Sequence, residues 1–379
     1  MVPFIDLKSQ YAALKGDIDK NIQAVLDDGR YINGPALKSF EAELAEFSGV
    51  KHALGCSSGT DALVIPLMAI QEMQGYSRDK PMAVFVPAFT YTASAEVIAL
   101  VGAQPVFVDV DPQTFNMCAE SLAREIEKVK AAGDYQPAVV MAVDLFGQPA
   151  DYNALKPVAD QYGLLMMCDS AQGLGGELDG KRVGALGDVS GTSFFPAKPL
   201  GCYGDGGAIF TDDDEMAKIM TSIRTHGTGS HKYEVLRIGM NGRLDTLQAA
   251  ILSVKLAAFE DEIAARNKLA DHYNSELSDL VETPFVMPNA LSSWAQYVLK
   301  TDRREDLQAF LKDKGIPTMV YYPSPMHFQI AYKQYGNGPG SMPVSEALCS
   351  EVMALPMHPY MDVDTAGMIT DAVKDFFQG

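Results

Sequence analysis

No two of the five cysteines, Cys56, Cys118, Cys168, Cys202 and Cys349, form a CxxC pair, and no two of the six histidines stand in an HxxxH spacing. A disulfide framework and the common zinc sites are therefore not expected, and no metal is assigned. There is no run of 18 uninterrupted apolar residues, and "MVPFIDLKSQ" lacks the basic segment and apolar stretch of a leader, so a cytoplasmic, reduced protein is expected. Cations are scarce too: 30 Lys and Arg face 49 Asp and Glu, a formal net charge of −19. That balance argues against sequence-independent binding to nucleic acid or anionic membrane, while leaving room for a local basic pocket.

What is present is a large apolar fraction, 47% of 379 residues, enough for a sizeable core. Short β-rich runs occur at "HALGC" (52–56), "AVFV" (83–86), "PVFV" (105–108), "AVVMAV" (138–143), "LLMMC" (164–168), "VSGTSFF" (189–195) and "GAIF" (207–210). They are apolar throughout, and several alternate with helix-length segments. This predicts an α/β fold, a mostly parallel sheet of seven strands with helices on both faces. Only a short loop separates the last two runs, too short for a helical crossover, so "GAIF" is expected to join antiparallel. From Arg243 the pattern turns helical, with Leu247, Ile251, Val254 and Ala258 at helical spacing. We expect a large α/β domain over 1–258 and a smaller C-terminal α+β domain over 259–379. No internal repeat is found.

The stretch "TSFFPAKPLGCYGDGG" sets Lys198 between Pro196 and Pro199, ahead of a glycine-rich run. A lysine held in a restrained, buried pocket loses basicity and becomes a Schiff-base nucleophile. An exposed loop lysine is the plainer reading of that stretch alone. In "MMCDSAQ", Asp169 follows an apolar strand and so falls at the crevice where α/β sheets bind ligands, unless it is simply a helix cap. In "CSSGTDAL" a strand ends at small residues and opens a helix, an arrangement that suits a phosphate, or else an ordinary helix capped by Ser58 or Thr60. Pro66 is expected to kink that helix. Together, a phosphate cradle, an acid and a lysine are the equipment for pyridoxal 5′-phosphate, interconverting with pyridoxamine 5′-phosphate.

The segments "SSGTDAL", "PAFTYTASAEVIALVGAQPVFVDVD", "DSAQGLGG", "SFFPAKPLGCYGDGGAIFTDDDEMA", "NGRLDTLQAAIL" and "LPMHPY" closely resemble the DegT/StrS-type sugar-nucleotide aminotransferases of aspartate aminotransferase fold type I. The likeness runs from "FIDLKSQ" to "LPMHPY". It implies that Lys198 forms the Schiff base, that Asp169 pairs with the ring nitrogen and that Gln172 contacts the ring hydroxyl. It also implies that Gly59, Thr60 and Ser193 hold the phosphate and that Phe89 stacks on the ring. Family members are homodimers with shared active sites. Asn241 matches a residue reaching the partner's phosphate, and Arg243 one that holds the sugar. Tyr321 and Tyr322 match positions facing the substrate, although the family pattern has a histidine at the first.

Within that family the likeness is greatest to enzymes that aminate C3 of a UDP-linked 2-acetamido-3-keto uronic acid with L-glutamate as donor, for surface polysaccharide such as O-antigen. A 4-aminotransferase acting on a UDP- or dTDP-4-keto-6-deoxy sugar is the alternative, and a non-catalytic cofactor-binding sensor or partner module is another. Family dehydratases replace the lysine with histidine; Lys198 favours transamination. The segment "GGELDGKR" mimics a G-x-x-x-x-G-K phosphate loop, but Arg182 stands where Mg²⁺ coordination needs Ser or Thr. No G-x-G-x-x-G follows the first strand, which removes a dinucleotide-binding dehydrogenase.

Overall fold

The computed structural model describes residues 2–76, 79, 81–231 and 233–378. Two helices, α1 (Leu7–Asp28) and α2 (Pro35–Ser48), precede β1 (His52–Cys56), and α3 (Gly59–Gln74) leads to β2 (Met82–Pro87). Then follow α4 (Thr92–Leu100), β3 (Gln104–Val108), α5 (Ala119–Ala132), β4 (Gln136–Val143), α6 (Tyr152–Tyr162) and β5 (Leu165–Asp169). A two-residue hairpin, β6 (Glu177–Leu178) and β7 (Lys181–Arg182), comes before β8 (Val189–Ser193), β9 (Gly207–Thr211) and α7 (Asp214–Ile223). The hairpin takes up most of the "GGELDGKR" segment, where Arg182 is paired with Glu177 and Glu260 rather than framing a phosphate loop.

Seven strands form one sheet in the order β1-β9-β8-β5-β4-β2-β3. Pairings from β8 to β3 are parallel, and β9 alone runs against its neighbours β1 and β8, as the short lysine loop requires. Alternate residues explain why the strands are apolar throughout. Val84, Val86, Val139 and Met141 pack with α3, α4 and α7 on one face, while Phe85, Val140 and Ala142 pack with α5 and α6 on the other. The remaining part of that second face, Ala53, Ala208 and Phe210, is covered by α2 and α8 (Thr246–Ala257). Helix α3 runs unbroken through Pro66.

Helix α9 (Phe259–Leu277) follows α8 directly. Its Phe259 and Ile263 pack in the core beside the large sheet, whereas Leu269, Tyr273 and Leu277 belong to a second core. That second core is completed by β10 (Tyr297–Lys300) and β11 (Val352–Leu355), which pair antiparallel, by α10 (Arg304–Asp313) and α11 (Val363–Gln378), and by Val2 from the other end of the chain. Packing therefore changes hands inside α9 rather than at its start. The helical stripe read from sequence is also corrected: Ile251 is buried, but Leu247, Val254 and Ala258 are only half-buried. Ala249, Leu252 and Leu256 instead fill the core.

Candidate active site

Parallel strands bring their carboxyl ends to one edge of the sheet, and there the chain repeatedly turns into loops and helix starts. Cys56 ends β1 and Ser58 caps α3, its hydroxyl accepting from Asp61 N at 3.0 Å. Asp169 ends β5, and Ser193 ends β8 ahead of the loop that carries Lys198. Between these ends lies a cavity of about 480 Å³ lined by Ser58, Gly59, Thr60, Asp169, Gln172, Ser193, Lys198, Tyr321 and Tyr322. Eight of the eleven residues expected from sequence converge on it. The exceptions are Phe89, Asn241 and Arg243.

Phe89 is 1% exposed and sits among Phe115, Phe146 and Tyr322, behind the cavity wall. The aromatic that faces the cavity from the same segment is Tyr91, 55% exposed, with its ring 6.2 Å from that of Tyr322. Asn241 and Arg243 lie on the stretch that runs past the end of β1, where Gly242 O accepts from Ser57 N. Their side chains bond each other, Arg243 Nη2 donating to Asn241 Oδ1 at 2.6 Å, and neither lines this chain's own cavity.

The polar groups at the centre of the cavity are held by specific partners. Asp169 is buried and its carboxyl is raised above the ordinary aspartate range by loss of water, an effect opposed by hydrogen bonds and by the Lys198 charge. Its Oδ2 accepts from Ser94 Oγ at 2.6 Å and its Oδ1 from Ala171 N at 3.2 Å. Ser94, a helix residue 75 positions earlier in the chain, had no mark in the sequence as an active-site group. Burial lowers the Lys198 ammonium, with Asp169 pulling the other way. Gln172 is locked end to end: its Oε1 accepts from Phe146 N at 2.9 Å and its Nε2 donates to Tyr322 Oη at 3.1 Å. Burial raises the Tyr322 phenol, which therefore stays protonated.

These residues fit pyridoxal phosphate on two counts. The first turn of α3 leaves its N–H groups without intrahelical acceptors and faces Ser193. Space at that point is reserved: a Cβ on Gly59 would lie 2.5 Å from Ser193 Cβ, so only glycine lets the helix start and the β8 end come this close. The donor set is also right, with a buried carboxylate for a ring nitrogen and a depressed lysine for an aldehyde. Lys198 is the only cation lining the cavity among the described residues.

A model of the DegT/DnrJ/EryC1/StrS aminotransferase family matches residues 12–374. Over 376 residues, 99% of this chain and 100% of the other, the sequence is 45% identical to the UDP-2-acetamido-2-deoxy-3-oxo-D-glucuronate aminotransferase of Pseudomonas aeruginosa. It is 39% identical to the pleiotropic regulatory protein of Geobacillus stearothermophilus over 100% of this chain and 99% of that one. Among solved structures, S. venezuelae DesV in complex with a ketimine intermediate is similar at a TM-score of 0.93 and 36% identity, covering 100% of this chain and 99% of that chain.

Proposed function

Since the chain belongs to the DegT/DnrJ/EryC1/StrS aminotransferase family, we propose that it moves an amino group from L-glutamate to C3 of UDP-2-acetamido-2-deoxy-3-keto-glucuronic acid. The observation that carries a catalytic role is the convergence of Lys198, Asp169 and Gln172 on one cavity with the α3 N-terminus. The choice of sugar is supported by the 45% identical relative. That lysine and acid are both retained weighs against the sensor reading, even though another relative is named as a regulator.

The cofactor is pyridoxal 5′-phosphate, which when bound supplies an electron sink for the carbon that loses or gains the amine. Lys198 would anchor it through its amine and, with its basicity lowered by burial, would be the group that moves the proton of the donor carbon. The carboxylate of Asp169, held by Ser94, keeps a ring nitrogen protonated. Gln172, Gly59, Thr60 and Ser193 are the remaining holding groups in this chain. Residues 1–258 provide them, and Tyr321, Tyr322 and Gln296 of 259–379 close the cavity from the other side.

A homodimer with shared sites follows from the same assignment. A dianionic phosphate, a uronate and glutamate all need cations that this cavity lacks beyond Lys198. Arg243 and Asn241 do not line the cavity, and the loop just before them exposes Val235, Leu236 and Ile238 (59–83%), as a segment offered to a second copy would. No helix among the described residues is long and apolar enough to cross a membrane. We place the reaction in the cytoplasm, in amino-sugar synthesis for surface polysaccharide.

The test is the visible spectrum of the cofactor-loaded protein before and after adding the UDP-linked 2-acetamido-3-amino uronic acid. Bleaching of the lysine-bound cofactor band supports both the chemistry and the sugar. Persistence of the band with this sugar, and bleaching with a 4-amino sugar, overturns the C3 assignment.

A further inference from the structure

Beneath the loop that presents Lys198 lies a cluster of buried charge that amino transfer itself does not use. Lys198 and Ala197 line, besides the main cavity, a space of about 20 Å³ bordered by Gln10, Pro199, Arg266, His358 and Tyr360. Lys255 Nζ donates to the carbonyl of Gly201 at 2.6 Å, and Arg266 Nη2 to the carbonyl of Pro199 at 3.4 Å. Lys198 N itself donates to Phe195 O at 2.8 Å. The loop is thus held by its own turn on one side of the lysine and by two cations on the other.

Both cations look to one acid. Glu262 Oε2 lies 3.8 Å from Arg266 Nη2, and its charge also acts on Lys255. Glu262 is fixed in turn by Gln10 Nε2, at 2.9 and 3.2 Å, and by Tyr360 Oη at 2.8 Å. Gln10, Lys255, Glu262 and Arg266 are between 1% and 7% exposed. Two cations and one anion at this depth are a poor way to gain stability, because apolar side chains of similar size do as well or better. The set is also incompletely satisfied: Arg266 Nη1, Gln10 Oε1 and both ring nitrogens of His358 have no hydrogen-bond partner. Such an arrangement points to a task other than packing.

We propose that Lys255, Arg266 and Glu262 are positioning residues, a buried clamp that sets where the Lys198 amine stands by gripping the backbone of its loop at Gly201 and Pro199. This rests on Lys198 being the cofactor-bearing lysine. The grip lies one to three residues beyond Lys198, so releasing it displaces the amine without touching any group in the main cavity. A misplacement on the scale of 1 Å slows a bond-forming step by about 10²-fold when geometry controls the rate.

The experiment strips the cofactor, adds pyridoxal 5′-phosphate, and follows Schiff-base absorbance, a readout that involves no sugar and no turnover. Wild type is compared with Lys255→Met, Arg266→Gln, Arg266→Lys and, as a control on the same helix, Glu260→Gln, whose carboxylate is exposed. The expected result is Schiff-base formation slowed at least about tenfold in Lys255→Met and Arg266→Gln, recovery to near wild-type rate in Arg266→Lys, and no change in Glu260→Gln. Circular dichroism and melting confirm folding first. Lys255→Met leaves Glu262 with Arg266, so it decides the matter should Arg266→Gln not fold. Rates within twofold of wild type in a folded Lys255→Met overturn the clamp. If wild type forms no Schiff base, the lysine assignment falls instead, and the clamp with it.

Discussion

Replacing Ser94 by alanine isolates the one hydroxyl that supports the buried carboxylate of Asp169. The bond is 2.6 Å long, buried, and made to a charged acceptor, a class worth about 1.5–3 kcal/mol. Loss of that support makes the ionised form of Asp169 harder to hold, so its pKa, already raised by burial, moves up by a further one to two units. Amino transfer needs the carboxylate, so the acid limb of the pH–rate profile should shift upward by about 1–2 pH units in Ser94→Ala while the alkaline limb stays put. Stability supplies a second reading with a defined sign. An acid whose folded pKa lies above its unfolded value binds protons more readily when folded, so the native state loses stability as pH rises through the folded pKa and carries the full penalty above it. Ser94→Ala should therefore be less stable than wild type by about 1–3 kcal/mol at neutral pH, with the gap closing in acid where Asp169 is protonated in both proteins. Urea unfolding of the cofactor-free protein across pH measures the gap. Superimposable pH–rate profiles, or a gap that ignores pH, would refute the assigned role of Ser94.

Gly59→Ala should force the α3 start away from β8, because the new methyl meets Ser193 Cβ at 2.5 Å and Oγ at 2.8 Å; overpacking of this kind costs about 1–3 kcal/mol, and a cofactor dissociation constant raised tenfold or more is expected by fluorescence titration. Tyr91→Ala should weaken cofactor or sugar binding with little change in melting temperature, whereas Phe89→Leu should lower stability by about 1–3 kcal/mol and leave cofactor affinity intact; the opposite pattern would restore Phe89 as the stacking ring. Burial lowers Lys255 to about 8, with the charge of Glu262 opposing the shift. Because the unfolded lysine still holds its proton up to about pH 10.4, wild type should gain stability relative to Lys255→Met as pH rises from 8 toward 10, and parallel curves in urea would count against a charged Lys255 in the core.

The parts of this design that were legible in the sequence are those where one residue type answers to one local requirement. Apolar runs marked all seven strands, the short lysine loop fixed the reversal of β9, and the small residues after β1 marked the start of α3. Asp169 and Lys198 could be placed because strand ends of a parallel sheet share an edge. Long-range pairings left no such trace. Nothing near Ser94 hints that its hydroxyl meets an acid 75 residues later. In "PAFTY" the two aromatics are equivalent on paper, and only the turn after β2 sends Phe89 inward and Tyr91 to the cavity. Lys255, Glu262 and Arg266 are charged residues that nothing local marks as buried, yet the N-terminal segment and the "LPMHPY" turn cover Glu262 and Arg266, and the lysine loop covers Lys255. The half-buried stripe of α8 escaped for a related reason, since helical spacing identifies an apolar face without saying what covers it.

The reversed strand β9 has a consequence for how the molecule comes into being. Its pairing with β1 joins Thr211 to His52, and that single closure brings the α3 cradle alongside the lysine loop. Everything between must be synthesised first, and the helices that back this edge, α8 and α9, lie later still. A nascent or partly unfolded chain thus owns the helix proposed to hold the phosphate long before it owns a site. Loading with pyridoxal phosphate then acts as a latch on the most distant contact in the sheet, stabilising it in proportion to the logarithm of cofactor concentration over its dissociation constant. Vitamin supply would set how much of the protein survives proteolysis as well as how much of it turns over.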